Sequence, residues 1–123
     1  MKAASREAQE QVQGQLEELI RNSDDSVAAA AQIGTELFLV VDQLDRERAL
    51  RVAVADQSLD ASQREGIMNA VLGSKVAEPT KKVLSETAKS EWSTPRELRE
   101  GLINLGRRAL LMGAEEQGQL EQV

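Results

Sequence analysis

Carboxylates are the residues of this sequence whose types and spacing come nearest to a chemical site. They form three close groups: Asp24-Asp25, Asp42 with Asp45, and Glu115-Glu116. None of these groups has the alternating oxygen ligands and central glycine of a calcium loop. Paired carboxylates serve acid–base chemistry only inside a shaped cleft. These groups fall at the ends of predicted helices, where capping and solvation account for them.

Histidine and cysteine are both absent from the sequence. Histidine is the residue most used for acid–base catalysis near neutral pH, and it is the commonest metal ligand. Its absence excludes a histidine phosphotransfer bundle and the paired Glu-x-x-His motifs of a di-iron bundle. Ser–His and Cys–His nucleophiles are impossible as well. We therefore expect a chain that is not an enzyme and has no catalytic residue, cofactor or metal site.

Two serine motifs leave a carrier function open. Asp25-Ser26-Val27 begins a predicted helix, and Asp56-Gln57-Ser58-Leu59 lies in a predicted connector. Acyl carrier proteins attach phosphopantetheine to a serine in an Asp-Ser-Leu context at a helix start, so a small acidic carrier is one alternative. Aspartate and serine are also ordinary capping residues, and this chain has more predicted helices than a carrier needs.

The charge balance argues against nucleic acid as a partner. The formal net charge is −6, whereas phosphate binding needs a basic face. The small basic clusters have acidic residues nearby, which indicates solvated helix faces; they are Arg46 with Arg48 and Arg51, Lys81-Lys82, and Arg107-Arg108. No run approaches the ~20 apolar residues of a membrane span. We expect no nucleic-acid partner and no direct membrane insertion.

Helical periodicity fills almost the whole sequence and predicts an all-α, six-helix bundle. Aromatic side chains are limited to Phe38 and Trp92, and a core of alanine and branched aliphatic residues suits closely packed helices. The predicted helices cover residues 3–20, 26–44, 46–55, 61–72, 78–92 and 95–112. Gly34 lies on the apolar stripe of the second helix, which predicts the close approach of a neighbouring helix.

Local signals mark where several of these helices begin and end. Asp24 or Asp25 caps the second helix. Asp60 with Gln63 forms a capping-box pattern before the fourth helix, and Gly73 follows it at a position that favours a left-handed backbone. Thr94, Pro95 and Glu97 are the N-cap, N1 and N3 residues of the sixth helix. The predicted ends of the helices therefore rest on capping chemistry as well as on periodicity.

The regular pattern weakens after Met112. The stretch Glu115-Glu116-Gln117-Gly118-Gln119 is polar throughout, and such a stretch is not expected to stay helical without a partner. We therefore divide the chain into a six-helix domain, residues 1–112, and a polar C-terminal extension, residues 113–123.

The first and fifth predicted helices have inward stripes of small or mixed residues. These are Ala4, Ala8 and Gln11 on the first helix, and Thr80, Thr87 and Ala88 on the fifth. Small side chains let a foreign helix approach closely, so an amphipathic partner could lie between the two helices. The two helices could equally pack on each other, and spacing alone does not decide. These features by themselves predict a generic helical protein-interaction module.

An ordered set of short stretches resembles a known family over nearly the whole chain. The stretches are Ala4-Ser5-Arg6-Glu7-Ala8, Leu44-Asp45-Arg46-Glu47 with Leu50-Arg51, Leu72-Gly73-Ser74-Lys75-Val76, Trp92-Ser93, and Ala114-Glu115-Glu116-Gln117-Gly118 with Leu120 and Val123. In this order they resemble the delta subunit of the bacterial F-type ATP synthase, in its actinobacterial form. The mitochondrial counterpart is the oligomycin-sensitivity-conferring protein.

The resemblance implies a non-catalytic stator subunit. In that family an N-terminal domain of six helices sits on the catalytic head and binds the N-terminal helices of alpha subunits, in a groove between its first and fifth helices. A separate C-terminal domain grips the peripheral stalk b subunit, and the assembly is peripheral to the cytoplasmic face of the cell membrane. The resemblance implies that this chain is the N-terminal domain, without the stalk-binding domain and without the b-like segment that precedes delta in some relatives.

The resemblance implies that eight residues of this chain correspond to the family's groove. They are Ala4, Ala8, Gln11 and Val12 of the first helix, and Leu84, Thr87, Ala88 and Glu91 of the fifth. The first helix departs from the family pattern Ala-Arg-x-Tyr-Ala-x-Ala-Leu-Phe, because Glu7 replaces the tyrosine and Val12 stands where phenylalanine is usual. We expect a shallower and more polar groove at that end.

Overall fold

A computed structural model describes the backbone of residues 1–121 and the side chains of residues 1–118. Helices are the regular secondary structure of this part of the chain, which contains no strand. The helices are α1 (Ala3–Arg21), α2 (Ser26–Arg46), α3 (Arg48–Val54), α4 (Ala61–Leu72), α5 (Glu78–Lys89) and α6 (Pro95–Glu121), with one turn of 3₁₀ helix, Gly73–Lys75, between α4 and α5. The predicted all-α fold of six helices is confirmed.

Helices α2 and α6 form the central pair of the bundle. A Cβ atom added at Gly34 would lie 2.7 Å from the Leu110 side chain and 3.2 Å from the backbone oxygen of Gly106. A Cβ at Gly113 would likewise lie 3.2 Å from the Cβ of Ala30. Glycines therefore allow the two backbones to approach closely, as the position of Gly34 predicts.

Helix α2 is also long and apolar enough to span a membrane, with a mean hydropathy of 1.3 in its most apolar window. This differs from the expectation that no run approaches a span. A core helix has the same composition, and Leu37 and Leu44 of α2 are fully buried among the other helices. These apolar residues of α2 thus contribute to the core of the bundle, whereas Leu39 of the same helix is exposed.

The predicted helix starts are confirmed by hydrogen bonds. Asp25, rather than Asp24, caps α2 by accepting from a backbone N–H of its first turn at 3.1 Å. Asp60 and Gln63 make both bonds of a capping box, each at 2.9 Å. The backbone N–H of Glu97 donates to Thr94 Oγ1 at 3.1 Å before α6.

Two predictions around α5 are wrong in detail. The backbone of Gly73 is right-handed, with φ −60° and ψ −33°, because the chain continues into a 3₁₀ turn. The glycine instead leaves room for Lys81, whose Cε lies 3.3 Å from the position of an added Cβ.

Helix α5 ends at Lys89 and not at Trp92. Trp92 is buried in the following loop, where its indole N–H donates to the Thr87 carbonyl at 2.9 Å.

The predicted end of the last helix near Met112 is also wrong. Helix α6 continues to Glu121, and residues 122 and 123 lie outside the described part of the chain. Met112 and Gly113 are still buried, so the polar stretch extends a helix that is already anchored, and extension is far less costly than nucleation. The division into residues 1–112 and 113–123 stays a prediction.

Candidate helix-binding groove

Helices α1 and α5 lie antiparallel and leave two openings along their outer side. The small opening, of about 270 Å³, joins the start of α1 to the end of α5; it is lined by Ala4, Glu7, Ala8, Gln11, Lys89, Ser90 and Glu91. The large opening, of about 450 Å³, joins the end of α1 to the start of α5; it is lined by Gln15, Leu19, Glu65, Glu78, Lys81, Lys82, Val83, Ser85 and Glu86. We call the two openings together the α1–α5 groove.

The small opening contains four of the eight residues that the sequence assigns to a partner. Ala4, Gln11 and Glu91 are exposed at it, and Ala8 lines it although little of its surface is accessible. Glu7, which takes the place of the family's tyrosine, lines the same opening. The altered start of the first helix therefore coincides with the smaller of the two openings.

The other four predicted residues lie inside the bundle. Val12 is 1% exposed, and Leu84, Thr87 and Ala88 are 0% exposed. Their side chains attach α1 and α5 to the core and line neither opening. A single residue step turns a helix position by about 100°, so the inward stripe and the rim of the groove are neighbours that spacing alone does not separate.

The residues predicted for the groove on the first helix end at Val12 and do not reach the large opening. The sequence does contain a signal for this opening, a series of residues in steps of three and four: Ala4, Ala8, Gln11, Gln15 and Leu19. Such steps place residues along one side of a helix. The stripe lies beside the buried stripe that includes Leu16 and Ile20. It marks the rim of the groove along nearly the whole of α1.

A polar bridge separates the two openings. Gln15 Nε2 on α1 donates to Glu86 Oε2 on α5 at 3.3 Å. Lys89 Nζ lies 3.0 Å from Glu86 Oε1 and 3.9 Å from Glu65 Oε2 on α4. The hydrogen bond to Glu86 and its charge raise the pKa of Lys89. Lys89 thus offsets one of the two carboxylate charges, and the three side chains together keep one net negative charge.

The end of α5 is held in place by Arg64 of α4. This arginine is only 4% exposed, and its guanidinium group donates to the carbonyls of Ala88 at 2.9 Å and Lys89 at 3.2 Å. It also donates to the Leu59 carbonyl at 2.6 Å. A cation at a helix C-terminus satisfies carbonyls that have no partner within the helix and interacts favourably with the helix dipole. Arg64 therefore fixes one edge of the groove.

The start of α5 is held by Glu36 of α2. The Glu36 carboxylate accepts from the backbone N–H of Ala77 at 3.2 Å and from the Thr80 hydroxyl at 2.6 Å. Ala77 is the N-cap residue of α5 and has no capping side chain of its own. A glutamate from another helix thus does the work of a local cap, which no local sequence signal would reveal.

The start of α1 is attached to the beginning of α6. The backbone N–H of Lys2 donates to Glu97 Oε1 at 2.7 Å, and the backbone N–H of Ser93 donates to the buried Ser5 hydroxyl at 2.8 Å. The hydrogen bond from Lys2 holds the pKa of Glu97 below its ordinary value. These contacts place the first turn of α1, and with it Ala4, at the mouth of the small opening.

The acidic and serine motifs are engaged in ion pairs and hydrogen bonds within the bundle. Asp42 pairs with Arg46 at 3.1 Å, and Asp45 pairs with Arg99 of α6 through contacts of 2.5 Å and 2.9 Å. The Ser58 hydroxyl donates to Asp56 at 2.7 Å, which closes a turn. Among the side chains that the structure describes, no group of three or more carboxylates could hold a metal ion.

The fold and the groove together define the class of the molecule: a six-helix bundle with a groove between its first and fifth helices. No family model matches the chain. Proteins named ATP synthase subunit delta match all of it, with 56% identity in Corynebacterium efficiens, 57% in Corynebacterium glutamicum strain R and 45% in Rhodococcus opacus. The resemblance to the ATP synthase delta subunit is therefore confirmed.

The chain spans a little less than half the length of the curated relatives that it matches. The matched region covers 44% of the Corynebacterium efficiens protein and 45% of the other two.

Proposed function

We propose that this chain is a non-catalytic stator component of an ATP synthase, and that its α1–α5 groove binds the N-terminal helix of an alpha subunit. The observation that carries the proposal is the groove itself, since α1 and α5 are anchored to the bundle by their inner faces and leave their outer rims open. The sequence identity between this chain and ATP synthase delta subunits supports the alpha subunit as the partner.

The dimensions of the groove suit a helix. Its rim follows α1 from Ala4 to Leu19, which corresponds to about 22 Å at 1.5 Å per residue. A partner helix of about four turns would cover that length. The groove therefore has room for the length of helix that a short terminal segment can form.

The side chains at the groove suit the apolar face of an amphipathic helix. Leu19 and Val83 give the large opening an apolar patch. The small side chains of Ala4 and Ala8 leave space for a partner at the small opening. Helices that dock in grooves use anchors at i, i+3, i+4 and i+7, and the rim of α1 presents contacts at matching steps. The Gln15–Glu86 bridge lies between the two patches, where a partner helix would cross it.

The remaining parts of the stator role follow from the same proposal. This chain supplies the contact with the top of the catalytic head, and a separate C-terminal domain of the subunit supplies the contact with the peripheral stalk b subunit. It stays at the cytoplasmic face of the cell membrane as a peripheral part of the complex. It binds no cofactor or nucleic acid, does not itself enter the membrane, and takes no part in the chemistry of ATP synthesis.

A peptide titration tests the partner. We expect a peptide from the N-terminus of the cognate alpha subunit, added to the ¹⁵N-labelled chain, to shift the amide resonances of α1 and α5 around both openings. The resonances of α3, which lines neither opening, should stay in place. Spectra that do not change at millimolar peptide would exclude the groove as the alpha-subunit site.

A pair of matched variants separates the groove from the rest of the surface. Ala4→Trp fills the small opening, and we expect it to weaken the peptide at least several-fold, because the large ring occupies space that the partner needs. Ala49→Trp makes the same change at an exposed alanine of α3 and should leave affinity unchanged. Ala4 is preferable to Ala8, which is only 5% exposed and would disturb the core. Equal affinities for the two folded variants would contradict the assignment.

A further inference from the structure

The two openings of the α1–α5 groove both have an excess of negative charge. Their linings contain five glutamates and three lysines, a net charge of −2: Glu7, Lys89 and Glu91 at the small opening, and Glu65, Glu78, Lys81, Lys82 and Glu86 at the large one. Each opening thus has one glutamate more than it has lysines. Complementary charge at an interface favours one class of partner over another, and here it favours a partner that supplies positive charge.

The bridge between the openings is where a cation is most clearly lacking. Glu86 of α5 and Glu65 of α4 share the single ammonium group of Lys89, at 3.0 Å and 3.9 Å. Glu86 also accepts a hydrogen bond from Gln15, whereas 3.9 Å is too long for a hydrogen bond between Lys89 and Glu65. No other ion pair among the described side chains includes either carboxylate. One of the two negative charges therefore has no counterion of its own.

The other two lysines of the groove do not supply that counterion. Lys82 precedes Glu86 by about one turn of α5, and Lys81 lies slightly farther along the helix. The stem of Lys81 lies against Gly73, where an added Cβ would be 3.3 Å from the lysine Cε. The side chains of Glu65 and Glu86 are 30% and 35% exposed, so in the free chain solvent stabilises the excess charge.

A docked helix would displace that solvent from the bridge. Burying a carboxylate without a counterion is costly, and a charge-assisted hydrogen bond from a cation offsets the cost. We infer that the partner helix places a lysine or arginine over Glu65 and Glu86, in a step that rests on the proposed function. With Lys89 and this residue together, two cations face two carboxylates.

The geometry of α1 sets where this residue lies on the partner. Gln15 of the bridge is four residues from Leu19 at the large opening and seven residues from Ala8 at the small one. These separations correspond to about 6 Å and about 10.5 Å along a helix. A partner that follows α1 therefore has its basic residue about one turn from the side chain over Leu19 and about two turns from the side chain over Ala8.

Neutralising Glu65 gives a test in which the direction of the effect decides. Glu65→Gln keeps the size of the side chain and removes its charge. We expect the N-terminal peptide of the cognate alpha subunit to bind this variant about two- to fivefold more weakly at low salt, since a cation of the peptide loses its partner. The effect should shrink in about 0.5 M salt, because salt screens partly exposed charges.

The matched control is Glu18→Gln, which removes the same charge from an exposed residue of α1 that lines neither opening. It should change the affinity by less than about 1.5-fold. Equal or tighter binding by the Glu65→Gln variant would overturn the inference, because a partner without a cation gains when the carboxylate charge is removed.

Variants of the peptide identify the cation independently. Each lysine or arginine of the peptide is replaced by glutamine in turn. We expect one replacement to weaken binding to the unmodified chain and to have little further effect on the Glu65→Gln chain, as residues in direct contact are coupled. The measurements on the unmodified chain decide the inference even if the Glu65 variant does not fold, since neutralised peptides that all bind as tightly would overturn it.

The outcomes distinguish the inference from the proposed function. A peptide that shifts the resonances of α1 and α5 but has no basic residue coupled to Glu65 overturns the inference alone. A peptide that perturbs neither α1 nor α5 overturns the proposed function and, with it, the inference.

Discussion

Two helix pairs in this molecule use opposite kinds of contact. Helices α2 and α6 meet over glycines, so that Gly34 faces the backbone of Gly106 and little space is left between them. Helices α1 and α5 are each buried on the inner face, but their outer rims are joined by the polar Gln15–Glu86 bridge between two openings. The first pair holds the bundle together, and the second leaves surface available for another protein.

This difference predicts how a leucine-to-alanine change acts in each pair. Leu37→Ala in α2 removes a fully buried side chain and should lower the free energy of unfolding by about 2–5 kcal/mol. Leu19→Ala at the groove should cost less than about 1.5 kcal/mol, since its side chain is partly exposed already. Urea denaturation measures both. Equal losses in the two variants would mean that the groove is as much a part of the core as the α2–α6 contact.

Glycine substitutions test the close approach itself. Gly34→Val should destabilise the chain by about 1–3 kcal/mol, because the new side chain meets Leu110 and the Gly106 backbone. Gly14→Val in α1 is the matched control, since no atom lies within 4 Å of a Cβ there. The control should be neutral or slightly stabilising, because valine is a better helix former than glycine. If the Gly34 variant were as stable as the Gly14 variant, α2 and α6 could move apart without a loss of unfolding free energy.

Arg64 provides a way to loosen the groove without touching its lining. Arg64→Met keeps much of the volume but leaves the carbonyls at the end of α5 without their donor, and we expect a loss of about 1–3 kcal/mol. Amide hydrogen exchange should quicken in the last turn of α5 more than in α2. Arg96→Met, at an exposed arginine of α6, is the control. If hydrogen exchange quickened equally over the whole bundle, Arg64 would stabilise the fold as a whole rather than the end of α5.

The smallest expected effect is a loss of stability in acid. The Lys2 N–H lowers the pKa of Glu97, and the hydrogen bond from Arg99 lowers the pKa of Asp45. Their stabilisation is therefore complete above the ordinary carboxyl pKa values, 4.5 and 3.8, and is lost as the pH falls through the lower folded values. Unfolding free energies measured between pH 6 and pH 2.5 should decrease in that window.

Single amide variants assign the acid effect to each pair. Glu97→Gln should flatten the decrease and also loosen the start of α1, whereas Asp45→Asn should flatten it without altering α1. Hydrogen exchange in the first turn of α1 distinguishes the two. An unchanged pH profile in both variants would contradict the assigned hydrogen bonds.

Much of the fold was predictable because its signals are local. The capping residues Asp25, Asp60 and Thr94 each bond within a few residues of themselves, so the sequence contains all the information. The same holds for the 3.6-residue periodicity that marks α2 and α6. The end of α6 was mispredicted because Gly113 is buried against Ala30 of a different helix, and that contact has no local signal.

The candidate site was predictable only in part. Of the residues assigned to a partner, Ala4, Gln11 and Glu91 lie at an opening, whereas Leu84 and Thr87 are buried in the core. The large opening depends on Glu65 of α4 and on two lysines of α5 meeting Leu19 of α1. Residues so far apart in the chain come together only through the packing of three helices.

The sequence by itself determined the class of fold, the helix starts and the lack of histidine and cysteine chemistry, because each depends on residue type or on neighbours within one or two turns. Only the tertiary structure decided which side of α1 and α5 is buried, that Arg64 and Glu36 hold the two ends of α5, and which residues line the two openings between α1 and α5. The physical reason is that neighbouring stripes of a helix differ by a single residue step, and the choice between them is made by the helices packed against it.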